Sequence, residues 1–290
     1  MPRRPPSRPP VGHRSPLRSR RRKKRVIVAA ISLCVLALFA IGLHYVSYLQ
    51  RLTIQGASVS GAKEMHPETI TSYIDSLLDD GRYHFLSRRN IFLYPEKALE
   101  RALVANFPRI QSATIFRDLP LSTALSVRIV ERQPFAKWCE SGDTPRCYLL
   151  DDHGFIFAVD EGTEQPAQAY IFGGGLALND AASSSAPIGM TLAPGHLPGI
   201  VAMMNLLGNA GFTPQGARVD NDQDFFVTLQ QGFFLKASYG ADAAQLVRNL
   251  QLVLSADALA GKQGSLDYVD LRFGNRVYYK LKGEAESAAQ

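Results

Sequence analysis

One uninterrupted apolar stretch limits how this chain can fold. It runs from Val26 to Leu49 and contains no Asp, Glu, Lys or Arg. A helix of that length, at about 1.5 Å per residue, spans about 36 Å, which exceeds the hydrocarbon core of about 30 Å. Tyr45, Tyr48 and Arg51 at its end suit the membrane interface. We therefore predict a membrane-spanning helix over 26–49.

A cleaved secretory signal peptide is the alternative, because such peptides also run from a basic region into an apolar one. The apolar stretch is long for a signal peptide, and no clear small-x-small cleavage motif follows it. These observations favour an uncleaved anchor.

The segment before the apolar stretch is strongly basic. Residues 1–25 contain eleven Lys and Arg and no Asp or Glu, and they are rich in Pro and Ser. Basic flanks stay in the cytoplasm, so we predict a single-pass type II protein with its bulk outside the cytoplasm. The composition predicts a disordered tail over 1–25, with Arg20–Arg25 against the lipid bilayer. Contact with DNA or with a cytoplasmic partner stays open as an alternative.

The overall positive charge is local to that tail. The chain has 32 basic and 26 acidic residues, a net charge of +6. Without the tail, acidic side chains outnumber basic ones, so a basic groove over the folded part, and hence nucleic-acid binding there, is not expected.

Two of the three cysteines lie outside the apolar stretch. Cys139 and Cys147 flank a segment of turn-forming residues, whereas Cys34 lies in the predicted membrane helix. If the flanks pair as a hairpin the two sulfurs meet, and an oxidising compartment permits the bond. A Cys139–Cys147 disulfide is therefore our hypothesis.

The first external segment mixes helices and strands. Leu52, Ile54 and Gly56 predict a short strand. A helix with an apolar stripe begins at Pro67 and stops at Gly81, and a second begins at Pro95 and ends before Pro108. The stripe of the first helix consists of Ile70, Tyr73, Ile74, Leu77 and Leu78. We expect Phe85 and Ile91–Leu93 between them to fill the core.

Two strands complete this segment. Alternating residues over 110–115 and 125–129 flank a turn at Asp118–Pro120. The order strand, helix, helix, strand, strand predicts a compact α+β unit.

The second external segment is predicted to be β-rich. Patterns indicate a hairpin over 148–159, a long surface loop over 173–196, helices over 197–211 and 241–254, and a hairpin over 225–237. Strands at 268–273 and 277–281 flank the turn Gly274–Asn275.

Several segments resemble the FtsQ/DivIB family of bacterial division proteins. They are Phe107–Ile110, Asp118–Pro120, Glu131–Trp138, the Tyr-Leu-x-Asp hairpin at Tyr148 and Tyr268–Phe273. The resemblance implies an α+β protein with a β-α-α-β-β POTRA domain over 51–131. It also implies a β domain over 132–282, built on an antiparallel sheet with two or three helices, before a disordered tail over 283–290.

Patterns that would favour an enzyme are weak. Ser60–Lys63 matches Ser-x-x-Lys without the motifs that accompany it in penicillin-binding enzymes. Asp151–His153 reads as a turn rather than a metal site, and Gly173–Gly175 lacks the Lys of a phosphate loop. We expect neither catalysis nor a cofactor.

The last strand is the predicted binding site. Unless it joins the middle of the sheet, a final strand with an apolar face and little charge is an exposed edge, which attracts another strand. In the family this strand receives the division partner FtsB, and the resemblance implies that Arg272 pairs an acidic partner residue. The predicted partner-binding residues are Arg272, Phe273, Arg276, Val277, Tyr278, Tyr279, Lys280 and Leu281. An intramolecular packing role for Tyr278 and Tyr279 is the alternative.

The resemblance thus implies a scaffold at the division septum of the inner membrane. It would bind FtsB and FtsL and regulate septal wall synthesis, with other division proteins docking on the POTRA domain. The alternative function is a POTRA-bearing chaperone or transport component that handles extended polypeptides.

Overall fold

A computed structural model describes residues 16–79, 85–177, 186–221, 223–256, 259, 262–274 and 276–283, with side chains from Arg22 onward. Two compact units account for the chain. The first unit comprises Met1–Ser58, Pro67–Lys97 and Ile115–Val127, and the second comprises Val59–His66, Ala98–Thr114 and Arg128–Gln290. The predicted domain boundary at 131/132 stays a prediction.

Helix α1 runs from Pro16 to Ser47. Its part from Arg22 to Ser47 is long and apolar enough to cross a membrane, with a mean hydropathy of 2.9 in its most apolar stretch. The helix begins in the basic segment that we predicted to be disordered, and that prediction is wrong from Pro16 to Arg25. Arg and Lys are good helix formers, and extending an existing helix needs no new nucleation.

The mixed helix and strand region follows. A 3₁₀ turn covers Gln50–Leu52, and the first strand, β1, runs over Gly56–Ser60. The predicted strand at Leu52–Gly56 was therefore placed too early. Beyond it lie α2 (Pro67–Leu78), α3 (Glu96–Asn106), β2 (Ile110–Phe116) and β3 (Ala124–Glu131). The three strands form a sheet in the order β1-β3-β2.

The predicted helices of this region are confirmed. In α2 the stripe residues Ile70, Ile74 and Leu78 are buried, and in α3 Leu99 and Leu103 are buried. Burying one apolar face per helix is what stabilises such short helices, since isolated ones are marginal in water. The predicted stop at Gly81 lies outside the described residues.

The segment between α2 and α3 departs from expectation. Ile91 is fully buried, but Phe85 is 56% exposed, Phe92 63% and Leu93 47%. Of the residues expected to fill the core here, only Ile91 does so.

A nine-stranded sheet dominates the second unit. Its strands are β4 (Ala136–Cys139), β5 (Cys147–Leu150), β6 (Ile156–Val159), β7 (Ile171–Gly174), β10 (Pro214–Val219), β11 (Asp224–Leu229), β12 (Phe234–Ser238), β13 (Leu266–Phe273) and β14 (Arg276–Leu281). They lie in the order β14-β13-β12-β11-β10-β7-β4-β5-β6. The predicted hairpins are confirmed as the antiparallel pairs β5–β6, β11–β12 and β13–β14.

The sheet is mixed, so the expected antiparallel sheet is wrong in part. The pairs β4–β7, β7–β10 and β12–β13 are parallel. Parallel neighbours need a crossover connection, usually a helix. Helix α4 (Leu197–Asn209) joins β7 to β10, and α5 (Ala243–Leu254) joins β12 to β13.

Both crossover helices pack on one core. Their buried residues include Ile200, Met203, Leu246 and Leu250, which belong to the same cluster as Val227 and other inward-facing strand residues. The predicted surface loop over 173–196 is corrected in part. It contains β8 (Leu176–Ala177) paired with β9 (Thr191–Leu192), and it buries Leu192 and Ala193 in this core.

Candidate functional site at the C-terminal sheet edge

Strand β14 is the outermost strand at one end of the nine-stranded sheet. It pairs antiparallel with β13, with Val269 opposite Tyr279 and Asp270 opposite Tyr278. No second strand pairs with β14 in the part of the chain that the structure describes. One side of β14 is therefore an open edge, as predicted for the last strand. Asn275, in the turn before it, lies outside the described residues.

The direction of the backbone groups along β14 follows from one hydrogen bond. The N–H of Lys282 donates to the carbonyl oxygen of Ser265, 2.8 Å away, on the β13 side. Backbone groups of successive residues in a strand point to opposite sides, so those of Val277 and Tyr279 face away from β13. The N–H groups and carbonyls of Val277 and Tyr279 are thus directed at whatever lies beyond the edge.

The side chains of β14 divide between the two faces of the sheet. Val277 and Leu281 pack partly buried against the core, and the register places Tyr279 on that same face. Tyr278 lies on the opposite face, 47% exposed, and its ring meets that of Phe273 edge-on at 5.2 Å. Phe273 is itself 55% exposed. The edge therefore presents aromatic surface beside its backbone groups.

Arg272 is held by two carboxylates of its own chain. Its Nε and Nη2 donate to Asp270 at 2.9 and 2.7 Å, and its Nη1 donates to Asp224 at 2.6 Å. This arrangement ties β13 to β11 beside Phe273. The sequence did not predict these internal ion pairs. Three of the five N–H groups of the guanidinium are used in this way, and pairing with an acidic partner residue stays a prediction.

The ion pairs shift the pKa of the groups involved. Hydrogen bonding to Asp270 raises the pKa of Arg272, against the opposing effect of burial, and Asp224 raises it further. Burial acts to raise the pKa of Asp224, but hydrogen bonds from Ser238 and Arg272 outweigh it and the pKa is lowered. Both shifts favour the charged forms of Arg272 and Asp224 at neutral pH.

An aromatic cluster continues from this edge over the face of the sheet opposite α4 and α5. The ring of Phe234 lies 5.8 Å from Phe226 and 5.5 Å from Tyr268. The ammonium of Lys236 lies over Tyr268, 3.8 Å from the ring centre, which is a close cation–π contact. These side chains are partly buried. In the sequence these aromatic residues alternate with the buried strand residues, and this alternation indicates a second apolar face of the sheet.

A disulfide joins Cys139 and Cys147. The two residues are directly opposite each other in the β4–β5 pair, with their Cα atoms 4.1 Å apart. Next to it, Trp138 is 8% exposed and its Nε1 donates to Gly174, 3.0 Å away. Trp138 thus fills the core rather than a binding surface.

The Glu-Arg-x-Pro motif makes contacts inside the second unit. The buried carboxylate of Glu131 accepts hydrogen bonds from the backbone N–H groups of residues 63–65 at 2.8 to 3.3 Å. Arg132 donates to Pro108 at 3.0 Å and to Asp151 at 2.5 Å, and its guanidinium lies over Phe155. Arg132 thus connects the segment before β2 to the turn of the hairpin β5–β6. The role of the motif is structural.

The acidic group Asp151–His153 occupies a turn, as predicted. One oxygen of Asp151 accepts the backbone N–H groups of His153 and Phe155, both at 2.9 Å, and the other pairs with Arg132. Both oxygens of the buried carboxylate therefore have hydrogen-bond partners within the chain, one in the turn and one on Arg132.

No family model matches this chain, and no curated protein matches it either.

Proposed function

We propose that this protein is a membrane-anchored scaffold that binds a partner by adding the partner's strand to β14. The observation that carries the proposal is the open edge of the nine-stranded sheet, where the backbone groups of Val277 and Tyr279 face outward. Exposed edges are normally blunted by proline, bulges or charge. The only charged side chains of β14 are those of Arg276 and Lys280.

The class of partner comes from the resemblance to the FtsQ/DivIB family. By that resemblance the incoming strand belongs to an FtsB-like protein that acts together with an FtsL-like one, and the complex regulates septal wall synthesis. Each backbone hydrogen bond gained at the edge contributes about 0.5 to 1.5 kcal/mol net. Phe273 and Tyr278 add aromatic contact area, which is typical of binding hot spots.

Two further features support the resemblance. The order β1-α2-α3-β2-β3, with the sheet order β1-β3-β2, is compatible with the POTRA domain that the resemblance implies. Helix α1 offers a membrane anchor. Its basic flank supports the proposal that the N-terminus is cytoplasmic and the sheet lies outside the cytoplasm. The site of action proposed for the protein is the division septum.

The test is a titration of the full chain, reconstituted in lipid nanodiscs, with the extracytoplasmic parts of the host's FtsB and FtsL proteins. The decisive variant is Tyr279→Pro, which removes an N–H that faces outward. Tyr279→Ala is its matched control, because it removes the side chain and keeps the N–H. We expect the proline to weaken binding about tenfold or more relative to alanine, with unchanged circular dichroism.

A second proline checks the assumed direction of the strand. Tyr278→Pro removes an N–H that faces β13, so it should destabilise the fold as well as binding. Equal binding by Tyr279→Pro and Tyr279→Ala would contradict strand addition. If the intact protein does not bind the pair at all, the division scaffold is wrong. Binding of a reduced, unfolded carrier polypeptide would then favour the chaperone alternative, which uses the same edge without sequence specificity.

A further inference from the structure

The loop of residues 85–93, which we name the juxtamembrane loop, exposes large apolar side chains. Phe85 is 56% exposed, Leu86 37%, Phe92 63% and Leu93 47%. Between them Ser87, Asn90 and Ile91 are buried. The loop therefore has one side anchored in the protein and another side that is apolar and open, and such patches mark interaction surfaces.

The juxtamembrane loop is attached to the last turn of α1. A ring nitrogen of His44 donates to the carbonyl oxygen of Phe85 at 2.6 Å, and the two rings are 5.6 Å apart. The N–H of Ser87 donates to the hydroxyl of Ser47 at 3.3 Å, and the side-chain amide of Asn90 donates to the carbonyl of Ser47 at 3.1 Å. Phe85 thus lies beside His44, which is within the apolar stretch.

Further backbone bonds fix the loop after the helix ends. The N–H of Ile54 donates to Arg89 at 2.7 Å, and the N–H of Ile91 donates to Leu52 at 2.8 Å. The loop therefore follows the chain out of α1 over several residues. Its exposed side chains are held close to the end of the helix rather than free to turn into the core.

A neighbouring turn extends the apolar surface. The guanidinium of Arg117 lies over the ring of Phe92, 5.9 Å from its centre, and also donates to the carbonyl of Pro120. In this turn Leu119 and Leu121 are each 68% exposed. The turn and the juxtamembrane loop belong to the same compact unit as α1.

The charges around the loop suit phospholipid headgroups. The loop contains Arg88 and Arg89 and no acidic residue, and the exposed Arg51 follows α1. Arg89 pairs with Asp75 at 3.0 Å. Aromatic and aliphatic side chains mixed with arginine are the composition that binds at the boundary between headgroups and acyl chains.

We infer that the juxtamembrane loop inserts into the extracytoplasmic leaflet of the bilayer beside α1. The inference rests on the membrane anchor of the proposed function, since the loop reaches the bilayer only if α1 spans it. The exposed apolar side chains enter about 5 to 10 Å into the interface, and the arginines contact phosphate groups. The first unit then lies held against the membrane rather than swinging from a flexible link.

The test places an environment-sensitive fluorophore at single cysteines of the full chain in vesicles of phosphatidylethanolamine and phosphatidylglycerol. Cys34 is the free cysteine of the described residues and marks the membrane helix. The test positions are Leu86→Cys and Phe92→Cys in a Cys34→Ser background. Leu252→Cys is the matched control, because Leu252 is an exposed leucine on α5, 68% accessible. Lipids with brominated acyl chains quench the fluorophore in proportion to its insertion.

We expect quenching and a blue-shifted emission at positions 86 and 92, weaker than at the more deeply placed Cys34, and neither at position 252. Quenching at Cys34 without quenching at 86 and 92 would overturn the inference and leave the anchor standing. A membrane helix of another protein would then be the candidate for this surface. An unquenched Cys34 would overturn the anchor, and the inference with it. Equal quenching at position 252 would also overturn it, because insertion would not be specific to the loop.

Discussion

The two edge strands of the nine-stranded sheet differ, because the chain covers β6 and leaves β14 open. At the β6 end, Ile156 and Phe157 are 0% and 3% exposed. The chain itself covers this edge, because the N–H of Ile156 donates to Met190 at 2.9 Å and the N–H of Gly189 donates back to Ile156 at 2.8 Å. At the β14 end, Tyr278 and Tyr279 are 47% and 41% exposed.

This difference shows how one sheet separates stability from binding. An edge strand is a liability unless something pairs with or covers it. At Ile156 the β6 edge is hydrogen-bonded within the molecule, so substitutions there should act on stability. The β14 edge is left open, so substitutions on its exposed side should act on binding.

The largest expected effect is at the covered edge. Ile156→Ala removes a fully buried side chain and should lower the free energy of unfolding by about 3 kcal/mol. Urea unfolding followed by the fluorescence of Trp138, the single tryptophan of the chain, measures it. The folded variant should still bind at β14. A loss of binding in the folded variant would contradict the separation of the two ends.

The disulfide should come next. Cys139→Ser with Cys147→Ser opens a loop with a sequence separation of 8 residues. Releasing such a loop costs about 2.5 kcal/mol through the entropy of the unfolded chain. The same unfolding experiment on the reduced wild type is the control, and it should match the double variant. Partner binding at β14 should be unchanged.

Arg272→Ala should lower the stability of the open end of the sheet. It leaves Asp270, which is 5% exposed, and Asp224 without their cation. We expect a loss of about 2 kcal/mol, less than for a fully buried pair because Arg272 keeps contact with solvent. The matched control is Arg276→Ala, an exposed arginine that should change stability by less than about 0.5 kcal/mol. Equal effects of the two would contradict the bracing role of Arg272.

Acid should weaken both ends of the sheet. Asp160 follows β6 and pairs with Lys137, and Asp224 pairs with Arg272. Burial acts to raise the pKa of each carboxyl group, but hydrogen bonds from these cations and their neighbours lower it overall. A lowered pKa in the folded state gives stability that is present above the unfolded value of about 4 and is lost as the pH falls through the folded value.

Thermal unfolding measured across that range tests this prediction. Asp160→Asn and Asp224→Asn should each make the unfolding temperature less sensitive to pH below about 4. If the unfolding temperature of both variants falls with pH as steeply as that of the wild type, these carboxylates do not control the loss of stability in acid.

The smallest effect on stability is expected from Tyr278→Ala. Its side chain is 47% exposed, so unfolding should change by no more than about 0.5 kcal/mol. Binding should weaken by about 1 to 2 kcal/mol if the tyrosine contacts the partner. Val159→Ala, 39% exposed at the β6 end, is the matched control and should leave binding unchanged. If both variants bind like the wild type, the aromatic side of the edge is not part of the interface.

Much of the local structure could be predicted because the pattern lies within a few residues. The stripes of α2, α3, α4 and α5 repeat at helical spacing, and each helix was found where its stripe predicts. The hairpins β5–β6 and β13–β14 were predicted because each turn joins strands that are neighbours in both sequence and space. Strands β7 and β10 were missed, because they carry glycine or proline, and β4 was missed because it has only 4 residues.

The candidate site could be predicted only in part. The open edge of β14 follows from a final apolar strand, but its place at the end of the sheet depends on parallel pairings between distant strands. The carboxylates around Arg272 show the same dependence. Asp270 is two residues away, whereas Asp224 comes from β11, and no local pattern indicates that contact.

By itself the sequence determined the apolar span, the helices, the turns and the facing cysteines, because each rests on hydrophobic spacing or turn chemistry between near neighbours. The tertiary structure alone decided which edge the chain covers, which carboxylates hold Arg272, and that Phe85 and Phe92 face outward. Periodicity shows that a side chain is apolar, but which surface it meets depends on chain segments that are remote in sequence. Long-range pairing therefore determines where an apolar residue stabilises the core and where it is left for a partner or a membrane.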